Sequence, residues 1–215
     1  MSGNLIKRVN TSLILLTILL ICLFLNKYSW LLLIIITSII SFFEFKNLTK
    51  KIWKRKKIFI DFANLICFFY LIFFIYAAFD LAKIKETILY VLLVCILSDI
   101  GGYVVGKTIG GKKLTKISPN KTISGTIGSF LFSLIPCIFY LIIEIPILNL
   151  YKLIFLTLIL SFISQTGDLF ISYFKRKAKI KDTGTILPGH GGLLDRIDGI
   201  VFAVPCAFML DKIFF

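Results

Sequence analysis

A chain of 215 residues that is 58% hydrophobic, with a mean hydropathy of +0.95 and only 17% charged residues, is too apolar for a soluble domain. Its formal charge of +14 comes without a basic and aromatic groove or a known nucleic-acid module. That excludes nucleic acid as the partner and leaves anionic lipid headgroups to meet the basic segments. The five cysteines, Cys22, Cys67, Cys95, Cys137 and Cys206, lie inside apolar runs with no paired spacing, so neither a disulfide frame nor a zinc site is expected.

A hydrocarbon core of about 30 Å takes roughly 20 helical residues to cross. The apolar runs predict about seven spans, at 11–25, 28–44, 58–80, 86–106, 124–143, 147–167 and 198–214. The expected fold is an all-α polytopic integral membrane protein. The run from Thr11 follows Lys7 and Arg8 as a signal peptide would. No small-residue cleavage site comes after it and the next run starts almost at once, so it reads as a retained span. The first two spans are short for full crossings, which implies tilt or thin embedding. Between spans two and three, 45–57 reads as an almost purely basic loop that anchors the chain and attracts anionic lipid.

Orientation follows from Lys and Arg. With the N-terminus in the cytoplasm, only Lys27, Lys83, Lys85, Lys152 and Lys212 of the 25 basic residues fall outside. So lopsided a split over short loops predicts N-terminus in and C-terminus out. Residues 1–85 read as N-terminal helices with their basic loop, and 86–215 as a catalytic membrane domain facing the cytoplasm.

Two polar clusters interrupt the apolar pattern. From Ser98 to Gly125 come Asp99, glycines, Lys107, Lys112, Lys113, Lys116 and a Ser118-Pro119-Asn120-Lys121-Thr122 turn into span five. Lysines, hydroxyls and backbone amides at a helix N-terminus suit a polyphosphate. Gly106-Lys107-Thr108 is no Walker motif, since no strand precedes it. Asp99 and Asp168 lie within the last turns of their spans, and intramembrane carboxylates cost about 2.5–3.5 kcal/mol on insertion scales, so each is a functional candidate.

The second cluster, Ser172 to Asp198, gathers Asp182, Asp195, Asp198, six cations and the only histidine, His190. Asp195 and Asp198 are three apart, which puts both on one helix face. A helix cap would account for one of these acids, but not for Asp168, Asp182, Asp195 and Asp198 together. Carboxylate oxygens suit a hard cation such as magnesium, which leaves positions for water and substrate phosphate. His190, in Pro188-Gly189-His190-Gly191-Gly192, reads as a turn residue or phosphate donor, and the glycines let backbone amides approach an anion. The residues point to metal-dependent phosphate chemistry at a bilayer surface.

Ser172-x-x-Lys175-Arg176, Lys181-Asp182, Pro188-x-His190-Gly191-Gly192 and Asp195-Arg196-x-Asp198 resemble, at every fixed position, the C-terminal signature of the phosphatidate cytidylyltransferases, the CDP-diacylglycerol synthases. Asp99-x-x-x-Tyr103 and Ser118-Pro119-x-Lys121-Thr122 look like that family's upstream motif, so the resemblance covers roughly 90 to 215. Ser124 stands where the family often has Glu, Lys107 where Arg is usual and Gly102 where Ala is usual, and the N-terminal half is shorter than in many relatives.

The resemblance implies CTP plus phosphatidic acid giving CDP-diacylglycerol and pyrophosphate, in a bacterial inner membrane with the site on the cytoplasmic side. It implies Asp168, Asp195 and Asp198 as ligands of magnesium, one ion or two. Lys175, Arg176 and Arg196 would offset phosphate charge. Asp99, Lys107, Lys112, Ser118, Lys121, Thr122 and Ser172 would grip nucleotide or lipid phosphate, with Asp182 and His190 shaping the loop. Membrane lipid is the expected surrounding partner, and a homodimer is one option for assembly. Two rivals stand beside this reading. A CTP-dependent polyprenol kinase lacks the complete signature, and a small ion-coupled transporter would carry its acids near the bilayer midplane.

Overall fold

The computed structural model of the protein describes residues 3–142, 150–187 and 191–214. Eight helices run through them: α1 (Gly3–Leu25), α2 (Lys27–Trp53), α3 (Lys57–Leu81), α4 (Lys85–Thr108), α5 (Ile123–Ser133), α6 (Ile135–Ile142), α7 (Leu150–Lys177) and α8 (Leu194–Phe214). No strand occurs among the described residues, only two isolated bridge pairs, Lys113 with Thr122 and Leu187 with Gly191. Helices α2, α3, α4 and α7 are long and apolar enough to cross a membrane, and 10–25 and 123–138 are shorter apolar stretches. The architecture is that of an all-α polytopic membrane protein.

Helix ends depart from the predicted spans in a consistent way. α2 continues past residue 44 to Trp53, and α7 past 167 to Lys177. Hydropathy falls where charges enter, yet Lys and Arg are good helix formers and are favoured in a last turn by the helix dipole. The last turns carry Lys50 and Lys51 in α2, and Lys175, Arg176 and Lys177 in α7. The basic segment 45–57 is therefore helical to Trp53, and only 54–56 form the turn. At 23 and 27 residues, α1 and α2 are also longer than predicted, about 35 and 40 Å at 1.5 Å per residue. The fifth span is divided: α5 stops at Ser133 and α6 starts at Ile135. Pro136 lacks an amide hydrogen and suits the first turn of a new helix better than the interior of a continuous one.

The chain forms two compact units, one of residues 1–85 with 174–198 and the other of 86–173 with 199–215. In the first unit the reversal from α1 to α2 takes one residue. Asn26 caps α2 by accepting from the amides of Tyr28 (2.9 Å) and Ser29 (2.8 Å), while the Asn26 amide donates to Ser29 Oγ (3.3 Å). Trp30 Nε1 donates to the Ala78 carbonyl at 3.0 Å and Thr49 Oγ1 to Asn64 Oδ1 at 2.9 Å, both buried, which ties α2 to α3 at two levels. Phe174 joins this unit, its ring 5.4 Å from Phe45 and 6.4 Å from Trp53. Charge sorts to the two ends. Lys27, Lys83 and Lys85 surround a cleft at the α1–α2 reversal. Lys51, Lys54, Arg55 and Lys56 share an open cleft of about 850 Å³ with Lys177 and Lys179 at the α2–α3 turn.

In the second unit, glycines let α4 and α5 touch through their backbones. A Cβ at Gly128 would lie 2.7 Å from the Gly101 carbonyl, and one at Gly125 2.8 Å from the Gly102 carbonyl. Such small-residue seams are how membrane helices gain dispersion contact without a hydrophobic driving force. Ser98 and Ser161, both fully buried, share a hydrogen bond of 2.9 Å between α4 and α7. Tyr90 OH meets Thr157 Oγ1 and, at 3.0 Å, Cys137 Sγ. Phe170 of α7 and Phe202 of α8 meet edge to face at 5.4 Å.

Candidate active site

In the second unit, the segment from Gly110 to Ser124 closes into a tight loop. Gly110 (φ 66) and Gly111 (φ 104) turn the chain out of α4 through left-handed conformations that side chains disfavour. The Leu114 amide then donates to the Lys121 carbonyl (2.9 Å), Ile123 to Lys112 (3.0 Å) and Lys121 to Ser118 (3.1 Å). Thr122 is buried, and its Oγ1 caps α5 by accepting from the Gly125 amide at 3.1 Å. That hydroxyl is used by the helix, so the loop offers an anion Lys112 and Lys121 more than Thr122. Lys121 Nζ lies 2.5 Å from Asp168 Oδ2, and Ser172 Oγ donates to Asp168 Oδ1 at 3.2 Å. Asp168 sits well inside α7 and not at its end, because the helix runs on to Lys177. Asp99 and Lys107 are exposed on α4, and Lys107 Nζ lies 3.4 Å from Tyr103 OH.

In the first unit, α7 ends at Lys177, Lys179 takes φ 56, and the Ile180 amide returns to the Lys175 carbonyl at 3.0 Å. Leu187 and Gly191 then exchange hydrogen bonds of 2.9 and 3.1 Å. His190 lies outside the described residues. Lys175 is buried, and its Nζ lies 2.7 Å from Asp195 Oδ1. Asp195 Oδ2 accepts from the Thr183 amide (2.7 Å) and the Gly192 amide (3.1 Å). Arg176, Asp182 and Arg196 are exposed, and Asp198 is buried one turn into α8.

The α8 N-terminus, where Asp195 or Asp198 would be the local cap, is held by a residue sequence reasoning passed over. Glu44 of α2, buried, accepts from the Leu193 amide at Oε1 (2.9 Å), and from the Leu194 amide (2.9 Å) and Thr183 Oγ1 (2.7 Å) at Oε2. Thr183 Oγ1 also lies 3.0 Å from Asp195 Oδ2, but a hydroxyl has one proton, and the shorter contact takes it to Glu44. The available signal was that Glu44 is the first acid in the chain and stands where an apolar run meets seven cations.

Predicted residues are thus brought together in two sets: Lys121, Asp168 and Ser172 in one unit, Lys175, Asp195 and the glycine turn in the other. Within neither unit do three His, Cys, Asp or Glu side chains gather as a metal cluster among the described residues. The donor chemistry still fits magnesium: Asp168, Asp195 and Asp198 offer oxygen only. Asp195 has about four lone-pair sites and three donors on them, Lys175 and two amides, so Oδ1 keeps capacity for one more partner.

Fold and site define a class, a polytopic helical membrane protein with two lysine-paired carboxylates, the Asp195 side chain buried beside a glycine turn and Asp168 half-buried on α7. Residues 57–214 match the profile of the Cytidylyltransferase family, and the chain belongs to that family. It is 50% identical over 119 residues to a phosphatidate cytidylyltransferase of Staphylococcus haemolyticus, covering 55% of this chain and 46% of the relative. Against that of Bacillus subtilis it is 43% identical over 130 residues, 58% and 48% of the two chains. Against that of Staphylococcus aureus it is 49% identical over 119 residues, 55% and 46%. The chain spans about half the length of the curated relatives it matches.

Proposed function

We propose that the chain transfers the cytidylyl group of CTP to phosphatidic acid, giving CDP-diacylglycerol and pyrophosphate for phospholipid synthesis. The observation that carries this is the 172–198 signature with Lys175 and Asp195 paired inside it at 2.7 Å. The names of the matched relatives support the same reading.

A phosphate monoester has a second pKa near 6, so the lipid phosphate is mostly dianionic at neutral pH and needs no strong base. One of its oxygens attacks the α-phosphorus of CTP. The new P–O bond forms as the bond to the β-phosphate oxygen breaks, and pyrophosphate leaves with that electron pair. Positioning and charge neutralisation then account for catalysis. Lys175, Arg176 and Arg196 offset charge on the phosphates and the departing pyrophosphate. Lys112, Ser118 and Lys121 hold nucleotide or lipid phosphate, with Asp99, Lys107 and Ser172 beside them. Asp182 and His190 shape the second loop, while Thr122 acts through its helix cap. Asp168 in one unit, and Asp195 and Asp198 in the other, would offer oxygen donors to magnesium, which when bound would screen the triphosphate. The site faces the cytoplasm of a bacterial inner membrane, where CTP is available.

The test is purified protein with α-labelled CTP and phosphatidic acid, with and without EDTA. Labelled CDP-diacylglycerol that disappears with EDTA is expected. Phosphorylated polyprenol without any CDP-lipid would replace this reading with a kinase. Asp168→Asn and Asp195→Asn should each lower turnover by about 10²–10³ at matched expression, the size of a lost transition-state contact. Retention of more than about a tenth by both would remove them from the metal site.

A further inference from the structure

We infer that Glu44 is a positioning residue for the reaction, holding the 183–194 loop so that Asp195 and Lys175 stand where the chemistry needs them; this rests on the cytidylyltransferase reading. Glu44 is 4% exposed, and a carboxylate is buried at large cost unless its oxygens are hydrogen bonded. Its three donors, the Leu193 and Leu194 amides and the Thr183 hydroxyl, all come from the loop, 139 to 150 residues away in sequence. The Leu194 amide opens α8 and the Leu193 amide stands just before it, at the helix end where the dipole favours a negative charge.

The loop is shaped to admit this side chain. A Cβ at Gly184 would lie 2.6 Å from Glu44 Oε1, and a Cβ at Gly192 would lie 2.5 Å from Oε2. Glycine at those positions is a requirement of the carboxylate from α2. From Glu44 the links run inward. Thr183 gives its hydroxyl to Glu44 and its amide to Asp195 Oδ2, the Gly192 amide bonds the same oxygen, and Asp195 Oδ1 holds Lys175. Glu44 therefore acts on Asp195 through residues 183 and 192–194. All three partners are donors, so glutamine, which turns an NH2 toward one of them, does not replace the carboxylate.

Glu44→Gln in the full-length protein, with Thr183→Val as the milder second variant, tests the inference by two readouts. Amide exchange of peptides spanning 183–194 should rise in both variants while peptides of α3 keep wild-type protection. Turnover should fall about 10–100-fold in Glu44→Gln, the usual effect of losing a partner behind a site ligand, and less in Thr183→Val. KM for CTP should stay within about threefold, as for a contact that matters in the transition state. Unchanged loop exchange in both variants overturns the inference. So does faster loop exchange with turnover intact, because the loop's position would then be irrelevant to the reaction. A wild-type protein that makes no CDP-lipid overturns the cytidylyltransferase reading instead, and exchange still decides whether Glu44 holds the loop.

Discussion

Lys175 and Lys121 each pair with an acid, Asp195 and Asp168, but their surroundings give the two pairs different weights. The Lys175 and Asp195 side chains are 11% and 4% exposed, whereas those of Lys121 and Asp168 are 29% and 26% exposed. Removing one partner of a buried pair strands a charge that water cannot reach, and such losses run to about 3–5 kcal/mol. A more open pair is screened and is worth about 0–1 kcal/mol. Lys175→Met should therefore lower thermal unfolding in detergent well below wild type, and Lys121→Met should leave it nearly unchanged while turnover falls. Equal unfolding shifts for the two variants would show that burial does not separate the pairs. Asp195 differs from Asp168 in a second respect. It organises its loop through the amides of Thr183 and Gly192, so a single side chain carries both local structure and the charge proposed for magnesium.

At the level of elements, the α4–α5 seam leaves no room for an added side chain. Gly128 faces both the Gly101 carbonyl and the Val105 side chain within van der Waals contact of its missing Cβ, and Gly101 faces Phe132 as well as Gly128. Gly128→Ala has nowhere to put its methyl without separating the helices. Overpacking of this kind costs about 1–3 kcal/mol. By contrast, Gly110→Ala meets no atom within 4 Å and is penalised only by its φ of 66. Gly128→Ala is expected to destabilise the protein more than Gly110→Ala, measured as unfolding midpoints in the same detergent. The reverse order would mean that the loop, not the seam, limits stability.

Across the whole molecule, the apolar runs located the helices because hydrophobic length is what a bilayer selects. They misplaced helix ends at Trp53 and Lys177, since backbone hydrogen bonding continues after hydropathy stops, and they merged α5 with α6 although Pro136 marked the break. The site's own residues were legible as motifs. Their pairings, Lys121 with Asp168 and Lys175 with Asp195, join positions 47 and 20 residues apart and leave no local pattern. Glu44 was illegible for the same reason, as all its partners lie in the last third of the chain. The lopsided distribution of Lys and Arg remains the argument for orientation. Single cysteines placed at exposed Lys116 or Lys179 in a cysteine-free variant should resist an impermeant thiol reagent in intact cells and react once the membrane is opened. Labelling of either in sealed cells would reverse the topology.

The family profile begins at residue 57, beyond Glu44, so the matched stretch is not a transplantable module in this chain. A chimera that joined 57–214 to foreign N-terminal helices would keep every signature residue and lose the acceptor for the Leu193 and Leu194 amides and the Thr183 hydroxyl. Each buried donor left bare costs about 1–3 kcal/mol. The boundary drawn by sequence similarity and the boundary of the smallest piece able to assemble its own site therefore differ, and α2 lies between them.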